Sequence, residues 1–212
     1  MTTEAVVIVA AKRTPMGGFM GALNDAQSTE LGATAIASAL AETGLSTDAI
    51  DEVIMGCVLP AGVGQAPARQ AMLKAGLALS TGATTINKVC GSGLKAAMLA
   101  HDLIKAGSIN SAVAGGMESM SNAPYFIPKA RGGMRMGHGE IKDHMMSDGL
   151  EDAYDNKAMG CFAQDTADEY GISREQMDNF ALSSLTKAKA AIENGSFNNE
   201  VAPHTMQTRK GD

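Results

Sequence analysis

Tryptophan is absent from this 212-residue chain, and Phe, Trp and Tyr together make up only 4% of it. An architecture built on large aromatic anchors is thereby excluded, and abundant Ala, Gly and Met predict close backbone approach between elements instead. Basic charge is scarce too: 17 Lys and Arg against 23 Asp and Glu leave a formal charge of -6. No positive field exists to hold a polyanion, so nucleic acid drops out as a partner. The three cysteines, Cys57, Cys90 and Cys161, form an odd set without CxxC spacing. That argues against a disulfide framework, a redox motif or a zinc site, and predicts free thiols in a reducing compartment with no bound metal. No apolar run is long enough to span a bilayer, and acidic Glu4 stands where a secretory leader is basic. The expectation is a cytoplasmic protein with no membrane partner.

What the chain does have is 45% hydrophobic residues, enough for a substantial core, in a repeating order. Residues 5–11 are a continuous apolar run, the pattern of a strand buried on both faces. Ser28 as cap and Glu30 in the first turn open a helix whose apolar face, Leu31, Ala35, Ile36, Ala39 and Leu40, stops at Gly44. A second strand over 51–59 precedes a helix that starts at Pro67 and stops at Gly76. The third repeat is a β-branched strand over 84–89, a helix over 91–106 ended by Gly107, and a short apolar strand over 111–115. This alternation predicts an α/β protein with a mostly parallel sheet and helices on both faces.

Near Met120 the composition changes. Residues 120–154 carry Pro124, Pro128, a Gly-rich basic stretch over 129–139 and several Met, with little periodicity, and are expected to be a long excursion from the core. Two helices follow. One covers about 160–170; in the other, Ser173 and Gln176 form a capping box before Met177, Phe180, Ala181, Leu185, Ala188 and Ile192, with a stop at Gly195.

Chemistry concentrates in Asn87-Lys88-Val89-Cys90-Gly91-Ser92-Gly93-Leu94-Lys95-Ala96. A strand runs into Cys90 and a helix leaves directly after it, so the thiol sits near unsatisfied backbone N–H groups and the positive end of the helix dipole. Both favour thiolate, a standard route to an activated nucleophile. Gly91, Ser92 and Gly93 leave room for an acyl group, and the N–H of Cys90 is a candidate oxyanion donor. The arrangement is analogous to the nucleophile elbow of hydrolases, with Cys replacing Ser. A buried structural thiol at a tight turn is the plainer alternative.

Other candidates carry less. His101 lies 11 residues beyond Cys90 on the same helix, about 16 Å along the axis, too far for a direct hydrogen bond. It is expected to be a surface or packing residue. His138 and His144 fall in the excursion, where each could face a substrate entrance but exposed loop positions or subunit contacts are expected, and His204 is expected at the surface. Cys57, at a strand end, and Cys161, at a helix start, have some claim to reactivity through position, but both are expected to be buried structural thiols. Gly91-Ser92-Gly93 and Gly115-Gly116 do not complete a dinucleotide-binding GxGxxG.

The segment around Cys90 resembles the thiolase nucleophile motif, in which Asn-x-x-Cys enters Gly-Ser-Gly-Leu. Further pieces agree in order and spacing: Val7-Ile8-Val9-Ala10-Ala11-Lys12-Arg13-Thr14-Pro15, Ala114-Gly115-Gly116-Met117-Glu118-Ser119-Met120-Ser121, Arg131-Gly132-Gly133 to Gly137, Asp148-Gly149-Leu150, Met159-Gly160 and Arg209-Lys210-Gly211-Asp212. The resemblance spans nearly the whole chain. It implies a five-layer α/β/α/β/α fold of two similar halves, with residues 1–120 forming the amino-terminal α/β domain that bears the nucleophile. Residues 121–212 would then be part of an inserted loop domain, and the carboxy-terminal domain would be absent.

The resemblance also implies that Cys90 accepts an acyl group from acyl-CoA and that a second acetyl-CoA attacks it, condensing two acetyl-CoA to acetoacetyl-CoA and CoA, or the reverse. Alternatives are a broader 3-ketoacyl-CoA thiolase of fatty-acid oxidation and a non-catalytic acyl-CoA-binding member. Coenzyme A would be substrate and product, with no tightly bound cofactor. Leu150 and Met159 match positions that touch the pantetheine arm, whereas Ala158 stands where a His is expected. Residues 129–142 would join dimers into a tetramer; a phosphate-binding patch or a solvated loop are the other readings. The histidine and second cysteine of the family's site would lie beyond Asp212, so the isolated chain is expected to be inactive.

Overall fold

A computed structural model describes residues 5–206 and centres on a three-stranded parallel sheet. Its strands are β1 (Glu52–Gly56), β2 (Gly82–Ile86) and β3 (Ala112–Gly116), in the order β2-β1-β3. Ile54 of β1 stands opposite Thr84 on one side and Ala114 on the other. Parallel strands need crossover helices, which cover both faces, so the central strand is free to be apolar at every position. β1 obeys this: Val53, Ile54 and Met55 are all buried.

Strand alternation divides the core in two. Val53 and Met55 pack with Ile36 and Leu40 of α1 (Ser28–Thr43) and with Ala68, Ala71 and Met72 of α2 (Pro67–Lys74). On the opposite face Ile54 meets Ala96 and Ala100 of α3 (Ser92–Lys105). Helices therefore lie on both faces, as the alternating sequence pattern predicts.

One cap is shifted. Gln27, not Ser28, is the N-cap of α1, and its backbone N–H donates to Glu30 Oε2 at 3.0 Å. Ser28 has become the first helical residue and is buried, with its hydroxyl capping nothing at the helix end.

Beyond β3 the excursion contains a short antiparallel pair, β4 (Tyr125–Phe126) with β5 (Lys142–Asp143), and a π-helical turn over Met146–Leu150. Then come α4 (Met159–Glu169) and α5 (Arg174–Glu193). The capping box of α5 is formed as its sequence indicates: Ser173 Oγ accepts from the Gln176 N–H at 3.2 Å, and the Ser173 N–H donates to Gln176 Oε1 at 2.8 Å. Its apolar face is not covered. Phe180, Leu185 and Ile192 are exposed and no residue of α5 is buried.

The apolar run at 5–11 also departs from expectation. It forms no strand of the sheet, and Val7, Ile8 and Val9 are exposed. The nearest backbone pairing is at Arg13, bridged in parallel to Val201, with the Arg13 N–H donating to Glu200 O at 2.9 Å and the Ala202 N–H to Arg13 O at 2.8 Å. A hydrophobic run encodes a preference for burial, but a strand also needs a free edge to pair with, and among the described residues neither β2 nor β3 receives this segment. Glu4 and the Arg209-Lys210-Gly211-Asp212 motif lie outside the described residues. Among the described residues no helix is long and apolar enough to cross a membrane.

Candidate active site

Between β2 and α3 the chain turns sharply. Asn87 Oδ1 accepts the Val89 N–H at 2.8 Å, an Asx-type turn that bends the strand end back on itself. Val89 pays for the bend with φ of +48°, a left-handed conformation that costs a β-branched residue about 1–3 kcal/mol. Ser92 holds the strained turn in place. Its hydroxyl donates to Val89 O at 2.6 Å and accepts the Lys88 N–H at 2.8 Å. Gly91 is the N-cap of α3, and Cys90 stands at the apex of the turn, exposed.

The amides around the thiol are not all open. The Gly91 N–H donates to Lys88 O and the Ser92 N–H to Val89 O, each at 3.1 Å. These two N–H groups of the first turn are thus spent on the turn itself, while the candidate oxyanion donor is the N–H of Cys90. Ser92 is a residue that sequence reasoning undervalued, since it looked like a small spacer and is a two-handed clip. Its position, two residues after the cysteine at a helix start, was the available signal.

Glycines let α3 seat directly on the sheet. A Cβ on Gly93 would stand 3.6 Å from Gly116 N, and one on Gly116 would stand 3.5 Å from the Gly93 Cα. The first turn of α3 thus rests against the carboxyl end of β3, with Gly56 of β1 beneath Ser92. In open α/β sheets, ligand crevices form at this carboxyl edge.

An open cleft of about 850 Å³ lies there, lined by Val58, Asn87 and Val89 from the sheet side and by His144, Asp148 and Met159 from beyond β3. It reaches the residue immediately before Cys90. Its sheet-side wall is fixed by Glu118, whose Oε2 accepts the Val58 N–H at 2.8 Å and whose Oε1 accepts the Leu59 N–H at 3.0 Å.

Cys57 shares this corner but not its chemistry. It is 1% exposed, and its thiol donates to Glu118 Oε1 at 3.7 Å. Burial first, and the Glu118 charge second, push its pKa up to about 12. The buried Ser28 hydroxyl nearby acts in the opposite direction and does not cancel this, having no partner at hydrogen-bonding geometry. Cys57 is therefore protonated at neutral pH, and its expected role as a buried structural thiol is met. Cys161 is a correction: it is exposed, because α4 buries Ala167 and leaves its first turn open to solvent.

His144 is the second correction. Expected as an exposed loop residue or a subunit contact, it is only 4% exposed. Its Nδ1 lies 2.9 Å from Asp148 Oδ2, and its Nε2 accepts the Ala61 N–H at 3.4 Å. The excursion folds back over the loop after β1 and encloses the ring.

His101 is exposed and hydrogen-bonds its neighbour Asp102 at 3.1 Å, while His138 is exposed. His204 is half-buried, with Nδ1 2.8 Å from Thr34 Oγ1. Leu150 ends the π-helical turn, half-buried, and Met159 opens α4 on the cleft. Ala158 is the N-cap of α4 and bridges antiparallel to Glu151. Among the described residues no group of three or more His, Cys, Asp or Glu gathers to hold a metal ion.

The fold and site together define an α/β protein whose parallel sheet presents, at its carboxyl edge, an exposed cysteine on a strained strand-to-helix turn beside a cleft. The chain belongs to the thiolase family, whose amino-terminal domain model matches residues 6–212. It is similar to an acetyl-CoA acetyltransferase of Pseudomonas aeruginosa, with 51% identity over 209 residues, 99% of this chain and 53% of the relative. The acetyl-CoA acetyltransferase of Escherichia coli is 51% identical over 205 residues, 96% of this chain and 52% of the relative. A probable acetyl-CoA acyltransferase of Staphylococcus aureus is 48% identical over 207 residues, 98% of this chain and 53% of the relative. The chain spans about half the length of the curated relatives it matches.

Proposed function

We propose that the complete protein is an acetyl-CoA C-acetyltransferase that condenses two acetyl-CoA to acetoacetyl-CoA and CoA, or runs the reverse thiolysis, through an acyl intermediate on Cys90. The observation that carries this reading is the exposed Cys90 at a turn locked by Ser92 and Asn87, in a chain about half identical to proteins named for that activity.

In the first stage the Cys90 sulfur attacks the thioester carbonyl of acetyl-CoA; the carbonyl–sulfur bond to CoA breaks, and CoA leaves as its thiol. In the second stage the α-carbon of another acetyl-CoA gives up a proton to a base in the remainder of the complete protein and attacks acetyl-Cys90. The bond to Cys90 breaks, and acetoacetyl-CoA departs. Splitting the transfer in this way is covalent catalysis with ping-pong kinetics.

The cleft is suited to the uncharged part of the substrate. Asp148, Glu151 and Asp152 line it, with no Lys or Arg among its lining residues, so the CoA phosphates are held elsewhere and the pantetheine arm lies here against Met159, with Leu150 close by. Coenzyme A is substrate and product, and no tightly bound cofactor or metal takes part. Residues 1–120 act as the α/β domain bearing the nucleophile and 121–212 as part of an inserted loop domain, completed by a carboxy-terminal half into five layers. The assembly is a cytoplasmic homodimer or homotetramer, and in the tetramer residues 129–142 join the two dimers.

The test is mass spectrometry of the complete protein mixed with acetyl-CoA, which should find a single acetyl group on Cys90 and none in Cys90→Ala. Undiminished acetoacetyl-CoA cleavage by Cys90→Ala would refute the proposal. Ala158, a methyl group where a polar contact to the arm is expected, favours a second reading as a broader 3-ketoacyl-CoA thiolase. Faster turnover of a long-chain 3-ketoacyl-CoA than of acetoacetyl-CoA would select it.

A further inference from the structure

We infer that His144 is a positioning residue of the cleft: its ring pins the Met146–Leu150 turn to the loop after β1, and the pin sets the affinity for the uncharged arm of acyl-CoA. This rests on the acyl-CoA reading above.

Among the described residues the buried polar side chains are Ser28, Thr29, Thr81, Ser92 and His144, and His144 is the one that lines the cleft. Both ring nitrogens are committed. A backbone N–H can only donate, so the Ala61 contact at 3.4 Å requires Nε2 to be unprotonated. The ring proton is thereby assigned to Nδ1, where it is donated to Asp148 Oδ2 at 2.9 Å. The backbone N–H of His144 donates to Pro124 O at 3.1 Å and anchors the ring's own segment.

What the ring joins gives it a role. Asp148 sits in a π-helical turn, a form that sequence propensity rarely produces and that recurs at functional sites. The Glu151 N–H closes that turn on Met146 O at 2.9 Å. A Cβ on Gly149 would stand 3.5 Å from Leu59 Cδ2, so the turn packs against the loop after β1, where Ala61 lies. The ring thus spans the two walls of an open cleft, and one of those walls carries Leu150. Without it, the Asp148 carboxylate and the Ala61 N–H each lose a partner and the wall spacing is no longer fixed.

The experiment is equilibrium titration of acetyl-CoA into the complete protein carrying Cys90→Ala, which suppresses turnover, compared with the same protein carrying His144→Ala or His144→Gln in addition. His144→Ala should weaken binding about fivefold or more at unchanged stoichiometry. His144→Gln retains an acceptor where Nε2 met the Ala61 N–H and should recover affinity to within about twofold of the parent. Unchanged affinity in His144→Ala, a His144→Gln as weak as His144→Ala, or a loss of stoichiometry at unchanged affinity would each overturn the inference. Binding by the parent that His144→Ala leaves unmoved removes the pin alone. A parent that binds no acetyl-CoA, together with a wild type that forms no acetyl-Cys90, removes the acyl-CoA reading and the pin with it.

Discussion

Gly56 lies directly beneath Ser92: a Cβ added to the glycine would stand 2.5 Å from the serine Cβ and 2.9 Å from its carbonyl carbon. Ser92 is the residue whose hydroxyl clips the Cys90 turn, so the central strand leaves no room for even a methyl group beneath the residue that holds this turn.

Gly56→Ala should therefore damage both stability and chemistry. Overpacking a site bounded by backbone costs about 1–3 kcal/mol. A urea melt of the complete protein should show that loss, and acetylation of Cys90 should slow as the first turn of α3 is pushed outward. A variant as stable and as fast as wild type would show that the helix start can move freely.

Val89→Gly should separate stability from function. It relieves the left-handed penalty at φ of +48° but enlarges the unfolded ensemble, and the two effects offset to within about 1 kcal/mol. Cys90 is then less firmly aimed, and acetyl-Cys90 should form several-fold more slowly. Rate measurements alongside denaturant melts decide the matter.

The thiols should respond to pH and to alkylation in different ways. Iodoacetamide near pH 8 should label exposed Cys90 and Cys161 and spare Cys57 until the protein is unfolded. The Cys57 pKa is raised from 9.0 to about 12 in the folded state, so its contribution to stability is complete below pH 9 and is lost as pH climbs towards 12. Subtracting the alkaline stability profile of Cys57→Ala from that of wild type should reveal this decline. A flat difference would contradict it.

Ser173→Ala removes an acceptor that meets the Gln176 N–H at 3.2 Å. The loss should cost about 1 kcal/mol and fray the start of α5, read by circular dichroism during thermal melting. Ser173→Asn should cost far less.

Much of the architecture could be read from local pattern. The run over 51–59 was legible as a strand, and because both faces of β1 are covered Val53, Met55 and Ile54 divide between two cores. The Ser173 box was legible because both of its partners lie within four residues. Residues 5–11 show where pattern stops: the same kind of run gives no strand when no sheet edge receives it.

At the site, Cys90 was legible as a motif, and Asn87 and Ser92 belong to the same short segment. His144 was not. One of its partners, Ala61, is 83 positions away, and the other, Asp148, meets it only because the chain enters a π-helical turn. Cys161 was assigned to the interior on residue type alone, while α4 turns that position to solvent.

Glu118, just past β3, holds the loop after β1 across 60 positions of chain. The groove beside the cysteine is thus complete only after β3 has docked, late in the order of assembly, because so long a loop must close first. A chain emerging from the ribosome carries Cys90 beside an unfinished groove until the third strand arrives.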